Sequence, residues 1–482
     1  MAFSKMKLLL CDIPMAAETK FGRFKHLGSA SPPYNILLLG TILRRLGHEV
    51  RLTTEDIGLA EVADIAAEFQ PAIIGVTFMT MGYPRLGAFT EAMAKSAPEA
   101  LLIAGGYHAS VYPEDVLSRH PRLFAVFRGE AEIGLPKFVE SVAMGPPGPA
   151  ELREIPGLYY RDEAGAIQAA PPAELVEDLD LLPFPDYDLI PDFFRRFRPA
   201  VTRHYFRTPQ AYYLTGRGCP FSCHFCGRMT LGRTVRQHSA DYTIDLIKHG
   251  RDKYNIQSIM FADEFFTVNK NKMQQLSDGM HRHGLHTIDW ACNGRTNVMD
   301  VDYARLLRRA GCRQIGFGIE SGSQKVLDLL NKKTTVDEQA RALHATRAGG
   351  IESYGSFIIG SPGETMETLE ETRRFVLDNP LGFIGTCFFT PLPGSYYWTN
   401  EAYKDYGTLI DDNLENFNTF SGIPFVPHGL TRDDLVAFQR SLYRQFYMRP
   451  TRLVRELRHV TNATSWRFAL RIAGGVIRDA FH

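Results

Sequence analysis

Cysteine is scarce in this chain, seven in 482 residues, and other features that would assign it to a specialised class are missing too. An odd cysteine count without regular spacing excludes the disulfide framework of a secreted scaffold. No apolar run approaches the roughly 18 residues of a membrane-spanning helix. No positively charged start leads into the apolar core of about 7 to 15 residues that marks a secretory signal. These absences make a cytoplasmic protein without a membrane span the expectation. Neither sign of charge is in excess, since 54 Lys and Arg balance 54 Asp and Glu; no field gathers nucleic acid, and a small-molecule substrate is expected. The hydrophobic content of 44% suffices for buried cores, and the length suits about two to four domains. The basic amphipathic tail "SWRFALRIAGGVIRDAFH" suits a terminal helix docked on its own domain better than a helix on a membrane surface.

What is present is alternation. The runs "MKLLLCDI", "HEVRLTT", "AIIGVTF", "LLIAGG" and "LFAVFRG" read as strands separated by amphipathic stretches, which predicts an α/β fold beginning with a doubly wound, flavodoxin- or Rossmann-like five-stranded domain over residues 1–145. Residues 146–200 form a proline-rich connector around an expected hairpin, "GLYYRDEAGAIQ". Strand-like runs resume with "AYYLTG", "SIMFADEFF", "IDWACN", "QIGFGIE", "GSFIIG" and "FIGTCFF". Six βα repeats predict a partial (βα)6 barrel over 201–400, with its reactive loops at the C-terminal ends of the strands. A C-terminal helical region over 401–482 completes the reading, with Thr431 placed to cap "RDDLVAFQRSLYRQFY".

Three of the seven cysteines, Cys219, Cys223 and Cys226, crowd into "TGRGCPFSCHFCGR" after the first barrel strand, where chance would place about 0.1 cysteine in an eight-residue window. Three thiolates on one short loop can hold three corners of an iron–sulfur cubane and leave the fourth iron without a protein ligand. A zinc site wants a fourth ligand, and only His224 is near. The glycine and proline of "GCPFSC" suit a loop wrapped around a ligand.

Cys-x-x-x-Cys-x-x-Cys after the first strand of a six-unit βα barrel resembles the radical S-adenosylmethionine superfamily. The resemblance implies a [4Fe-4S] cluster on Cys219, Cys223 and Cys226, with S-adenosylmethionine chelating the open iron and cleaved by one electron to a hydrogen-abstracting 5′-deoxyadenosyl radical. It places Phe225 near the adenine. It also implies cofactor contacts from Asp263 and Glu264 of "FADEFFT", Arg295 of "WACNGRTNVMD", and Glu320 and Ser321 of "GFGIESGS". The first domain, with "GGYHASVYPE" and "FRGEAE", resembles the cobalamin-binding domain of the B12-dependent subgroup, so cobalamin joins the expected cofactors, with Gly105 and Gly106 allowing close backbone approach. The Asp-x-His-x-x-Gly cobalt-ligand motif of older cobalamin methyltransferases is missing from "CDIPMAAETKFG", and His108 reads as a hydrogen-bonded loop histidine rather than a ligand.

The resulting expectation is a cobalamin-dependent radical C-methyltransferase acting on a small-molecule natural product. The alternative is a cobalamin-independent radical dehydratase, decarboxylase or rearrangement enzyme acting on a sugar-like molecule, in which Glu264, Glu352 or His344 would serve as acid or base and Cys387 as hydrogen-atom donor. A regulatory module without catalysis would explain the cysteines but not six βα units with an acid-lined mouth. The aromatic run "CFFTPLPGSYYW" is expected in the pocket wall. An external one-electron reductase such as a flavodoxin is implied, because the other cysteines are scattered.

Overall fold

The structure, a computed structural model, describes residues 5–21, 31–227, 232–418 and 422–450. The amphipathic tail lies outside the described residues. Apolar runs of about five residues make the first sheet: β1 (Lys7–Asp12), β2 (Glu49–Thr53), β3 (Ile73–Thr77), β4 (Leu101–Gly105) and β5 (Ala125–Phe127). All five residues of β3 are buried, as a central strand covered on both faces requires. The order β2-β1-β3-β4-β5 is parallel throughout, so the chain reverses direction of growth between β1 and β3, where doubly wound sheets open a ligand crevice. Helices α1 (Tyr34–Arg45), α2 (Leu59–Phe69), α3 (Leu86–Ser96) and α4 (Gly134–Met144) follow four of these strands or the loops after them.

The expected hairpin forms as β6 (Leu158–Arg161) and β7 (Ile167–Ala169). Instead of standing in a connector, it pairs antiparallel onto β5 and extends the first sheet to seven strands. The rest of the proline-rich segment is glue. Asp186 accepts from Arg44 on α1 at 2.9 Å, and from Lys253 at 3.2 Å and Tyr254 at 3.1 Å on the barrel's first helix. Tyr187 is buried and donates to Tyr212 O at 2.7 Å. One hydrophobic cluster accordingly runs from Leu8 through Tyr187 to Phe446.

The barrel sheet consists of β8 (Gln210–Tyr213), β11 (Ser258–Phe261), β12 (Asp289–Gly294), β13 (Cys312–Glu320), β14 (Glu352–Ile359) and β15 (Phe383–Phe388), parallel and in sequential order. The gap falls between β15 and β8. Between β8 and β11 lies a small antiparallel ladder of β9 (Gly216–Arg217) and β10 (Arg236–Gln237). Helices α5 (Ala240–Tyr254), α6 (Lys270–Arg282), α7 (Val301–Arg309), α8 (Val336–Ala348) and α9 (Met366–Asp378) return the chain between strands. Each begins at a residue whose side chain accepts an orphan N–H of the first turn: Ser239, Asn269, Asp300, Thr335 and Thr365. Such caps start each helix within one residue of a loop, which keeps the preceding loop ends short and defined.

Beyond the barrel, β16 (Gly407–Leu409) and β17 (Phe425–Pro427) pair antiparallel, and α10 (Arg432–Tyr447) starts from the expected cap, Thr431. This helix seals the β15 edge. Tyr443 Oη accepts Thr386 N at 2.9 Å, and Tyr447 Oη accepts Ile384 N at 3.1 Å while donating to Ile384 O at 3.0 Å. Backbone groups left open by an incomplete barrel are thereby satisfied. No helix among the described residues is long and apolar enough to cross a membrane.

Candidate functional site

The cysteine loop leaves β8 through Thr215, whose N–H and hydroxyl donate to the two carboxylate oxygens of Asp263 at 3.1 and 3.0 Å. Gly216 follows because a Cβ there would stand 2.8 Å from Asp263 Oδ1. The β9–β10 ladder then closes the base of the loop, and Cys219 N donates to Gly232 O at 3.3 Å. Farther on, the loop is tied to the turn that ends the short helix Gln324–Leu329 after β13. His224 N donates to Leu330 O at 2.9 Å, and Asn331 Nδ2 donates to Ser222 O at 2.7 Å. These three ties use backbone atoms or residues other than cysteine.

The three thiols are free of disulfides and half-buried. Among the described residues no three His, Cys, Asp or Glu side chains converge into a metal-holding group. His224 is turned away: its Nδ1 meets Leu329 O at 3.2 Å and its ring stacks on Tyr396 at 4.1 Å. The donor set offered by this loop is three cysteines at Cys-x-x-x-Cys-x-x-Cys spacing, not drawn together in this structure, with His224 facing elsewhere. That set fits a cubane with one open iron and does not fit a four-ligand zinc site.

Four of the six side chains expected at the cofactor fall into different places. Phe225 and Cys387 each pack against a cluster that includes Val326, Ile358 and Tyr397. Glu320, in the left-handed region at φ 66°, receives Lys332 Nζ at 2.6 Å, and the same ammonium lies 5.7 Å from the Phe225 ring centroid. Gly318 makes room for this pair, since a Cβ there would meet Glu320 Oε1 at 2.4 Å. Arg295 lies 3.5 Å over the Phe221 ring and donates to Lys332 O at 2.6 Å, so it clamps the cysteine loop to the turn after the short helix Gln324–Leu329. Glu264 is exposed at the strand end.

The other two are engaged inside the protein. Asp263 is buried to 1% and committed to Thr215; burial pushes its carboxyl up to about 6 despite those bonds and the nearby Lys272. It braces the root of the loop from behind. Ser321, fully buried, shares a hydrogen bond with Thr372 Oγ1 at 3.0 Å and accepts Ser323 N at 3.1 Å; it anchors the β13 exit to α9. Neither presents surface to a ligand. Of the acid–base candidates in the alternative chemistry, Glu352 opens β14 at the end away from the loop, and His344 is exposed on α8. Cys387 donates to Phe357 O at 3.4 Å, and burial pushes its thiol up to about 12, with Glu320 adding to the effect.

The aromatic run wraps the loop. Tyr397 N donates to His224 O at 3.3 Å and Trp398 Nε1 donates to Tyr112 Oη at 2.6 Å. In the first domain, Gly106 has φ 95°, and a Cβ on it would stand 2.5 Å from Thr77 Oγ1 and 2.9 Å from Phe78 N. Thr77 also accepts from Asn35 Nδ2 at 2.8 Å, at the β1/β3 crevice. At Gly105 a Cβ would make ordinary contact with Phe127 at 3.9 Å, so no close approach demands glycine there. His108 stacks on Tyr83 at 4.3 Å and meets Thr80 Oγ1 at 3.3 Å. Burial lowers its pKa to about 4, so it is a neutral packed histidine, as its sequence context suggests. An arginine-lined depression of about 690 Å³ near Arg207, Asp289, Arg309 and Arg313 opens at the N-terminal ends of β12 and β13, the opposite end from the cysteines.

Sequence reasoning missed Lys332, Tyr107 and the partners of Arg217. "NKKTT" and "FRGEAE" are visible as charged stretches, but nothing in a linear sequence says which charge meets which.

Residues 213–376 match the Radical SAM superfamily and residues 24–139 match the B12 binding domain. An uncharacterized methyltransferase of Pyrococcus horikoshii is 30% identical over 458 residues, covering 94% of this chain and 95% of its own. An anaerobic magnesium-protoporphyrin IX monomethyl ester cyclase of Cereibacter sphaeroides is 29% identical over 440 residues, covering 88% and 69%. Among solved structures, the cobalamin-dependent S-adenosylmethionine radical enzyme OxsB superposes with a TM-score of 0.73 at 17% identity, over 99% of this chain and 72% of that one.

Proposed function

We propose, on the premise that this chain belongs to the radical S-adenosylmethionine superfamily and joins its barrel to a B12-binding domain, that it is a C-methyltransferase acting on a small molecule. The cofactors of this family are a [4Fe-4S] cluster, S-adenosylmethionine and cobalamin. When bound, they supply a hydrogen-abstracting carbon radical and a methyl group. The observation that carries the reading is the loop itself: three cysteines outside any disulfide at the C-terminal end of the barrel, with His224 turned away.

In this reading Cys219, Cys223 and Cys226 hold the cluster as thiolates. Phe225 offers an apolar face beside it. The Lys332–Glu320 pair, buried and adjacent to Phe225, supplies one cation and one carboxylate, the complement of a zwitterionic ligand bearing a carboxylate, an ammonium and hydroxyls. Arg295 keeps the loop and Lys332 together. The crevice where β1 and β3 diverge, beside Thr77 and Asn35, takes the corrin ligand, and the missing side chain of Gly106 lets the turn after β4 pack on Thr77 and Phe78 at its edge. The wall of Tyr396, Tyr397 and Trp398 limits water at the junction of the two domains.

An external one-electron donor such as a flavodoxin belongs to the proposal; Cys11, Cys292 and Cys312 are buried and scattered through the chain. The test is anaerobic reconstitution with iron, sulfide and cobalamin, followed by quantitation of 5′-deoxyadenosine and S-adenosylhomocysteine. Methyl transfer yields both. The cyclase among the relatives favours a second reading, radical chemistry without methyl transfer, which yields 5′-deoxyadenosine alone. Silence from a fully loaded cluster sinks both readings.

A further inference from the structure

Two residues before the first of the three cysteines, the chain takes its ion partners from the other domain. Arg217 donates from Nη1 to Glu130 Oε2 at 2.7 Å and from Nη2 to Glu132 Oε1 at 2.5 Å. Both glutamates belong to "RGEAE", immediately after β5 of the first sheet. Across the β9–β10 ladder, Arg236 also grips Glu130, through both of its carboxylate oxygens, and donates to Val176 O at 2.7 Å. The side chains of Arg217, Arg236 and Glu130 are 6%, 5% and 3% exposed. One carboxylate of the first domain thus holds both strands at the base of the cysteine loop. The far end of the loop meets the first domain as well: a Cβ on Gly227 would lie 1.7 Å from Tyr107 Oη, which donates to Pro393 O at 2.6 Å.

A buried carboxylate between two guanidinium forks is satisfied in one arrangement only, because each fork is planar and each oxygen has fixed lone-pair directions. Such groups are poor sources of net stability compared with apolar packing, and their best-attested use is to fix register. The ladder they hold is two residues long on each side, too short to fix its own geometry. We propose that Glu130 is a positioning residue for the cysteine loop, setting from the first domain where the loop stands relative to the ends of β3 and β4. The proposal rests on the reading that this loop carries the cluster; Glu130 itself touches neither cluster nor substrate.

The experiment uses the full-length, cobalamin-loaded, reconstituted protein and three variants: Glu130→Gln, Arg217→Lys and, as a control for an exposed pair within the first domain, Glu91→Gln. Two readouts are hydrogen exchange over residues 216–227 and the g-values of the reduced cluster with S-adenosylmethionine. Expected for Glu130→Gln is loop exchange faster by about tenfold and displaced g-values, with iron content and the protection of α5 to α9 as in the wild type. Arg217→Lys, which keeps the charge and loses the fork, should move both readouts in the same direction, and it decides the matter if the glutamine variant does not fold. Glu91→Gln should move neither. Unchanged loop exchange and unchanged g-values in a folded Glu130 or Arg217 variant overturn the proposal. A wild type that takes up no cluster overturns the cofactor reading instead, and loop exchange alone then decides the role of Glu130.

Discussion

Glu364 is a carboxyl group without a counter-ion among the described residues, and pH is the way to see it. It is 1% exposed and accepts the N–H groups of Gly360 and Ser361, the latter at 2.9 Å. Burial pushes its pKa up to about 8. The folded protein keeps this proton to higher pH than the unfolded chain does. The stability it contributes is therefore complete below the ordinary glutamate range and is lost as pH rises towards 8, by about 1.4 kcal/mol per pH unit. Glu364→Gln keeps a carbonyl for both donors and cannot ionise. Urea midpoints should show the variant within error of the wild type near pH 4.5 and more stable near pH 8.5; equal pH slopes would refute the assignment. At Gly106 the constraint is steric. Alanine there must accept φ 95° and a contact of 2.5 Å to Thr77 Oγ1, which together cost about 2–4 kcal/mol. Gly106→Ala should lower the urea midpoint accordingly and reduce the cobalamin that copurifies, read from the corrin absorbance; full retention of both would show that the β4 turn has slack.

Among the elements, the edge strand β15 shows what an incomplete barrel requires. Its N–H at Thr386 is served by Tyr443, and Thr386 Oγ1 also receives Gln439 Nε2 at 2.9 Å. Tyr443→Phe leaves that edge group short of a partner and should cost about 1–2 kcal/mol in chemical denaturation; a neutral outcome would mean that water replaces the hydroxyl. The strand could be read from the sequence, and so could its cover, but not their pairing. "FIGTCFF" shows its strand by apolar content and α10 shows its start by Thr431, whereas Tyr443 meets Thr386 across 57 positions. The hairpin teaches the same lesson: its turn is local, but its attachment to β5 depends on a free sheet edge that only the folded domain provides. At the site, the cysteines are legible because their spacing is the chemistry. Asp263 and Ser321 are less legible, because a polar residue at a strand end looks identical whether it faces a ligand or braces a neighbour. Burial makes the distinction, and burial is set by Thr215 and Thr372, distant in the chain.

For the whole molecule, the question is what holds the two cofactor sites in mutual register: the protein or the cofactors. The shared core from Leu8 to Phe446, the Asp186 crosslink and the Glu130–Arg217–Arg236 group all join the domains through side chains, so the protein is already sufficient. Removing cobalamin should then leave the barrel's half of the chemistry intact. Corrin-free protein, reconstituted with cluster alone, is expected to give the same reduced-cluster g-values with S-adenosylmethionine as the loaded enzyme and to release 5′-deoxyadenosine, while forming no S-adenosylhomocysteine. Electron paramagnetic resonance and chromatography of the same sample check both halves. Were the corrin itself the spacer, its removal would displace the cluster signal as strongly as Glu130→Gln does. The domain contacts predict the opposite ordering, a large change from one buried carboxylate and none from an entire cofactor, because the ion group sits at the base of the cysteine loop while the β1/β3 crevice lies in a separate sheet.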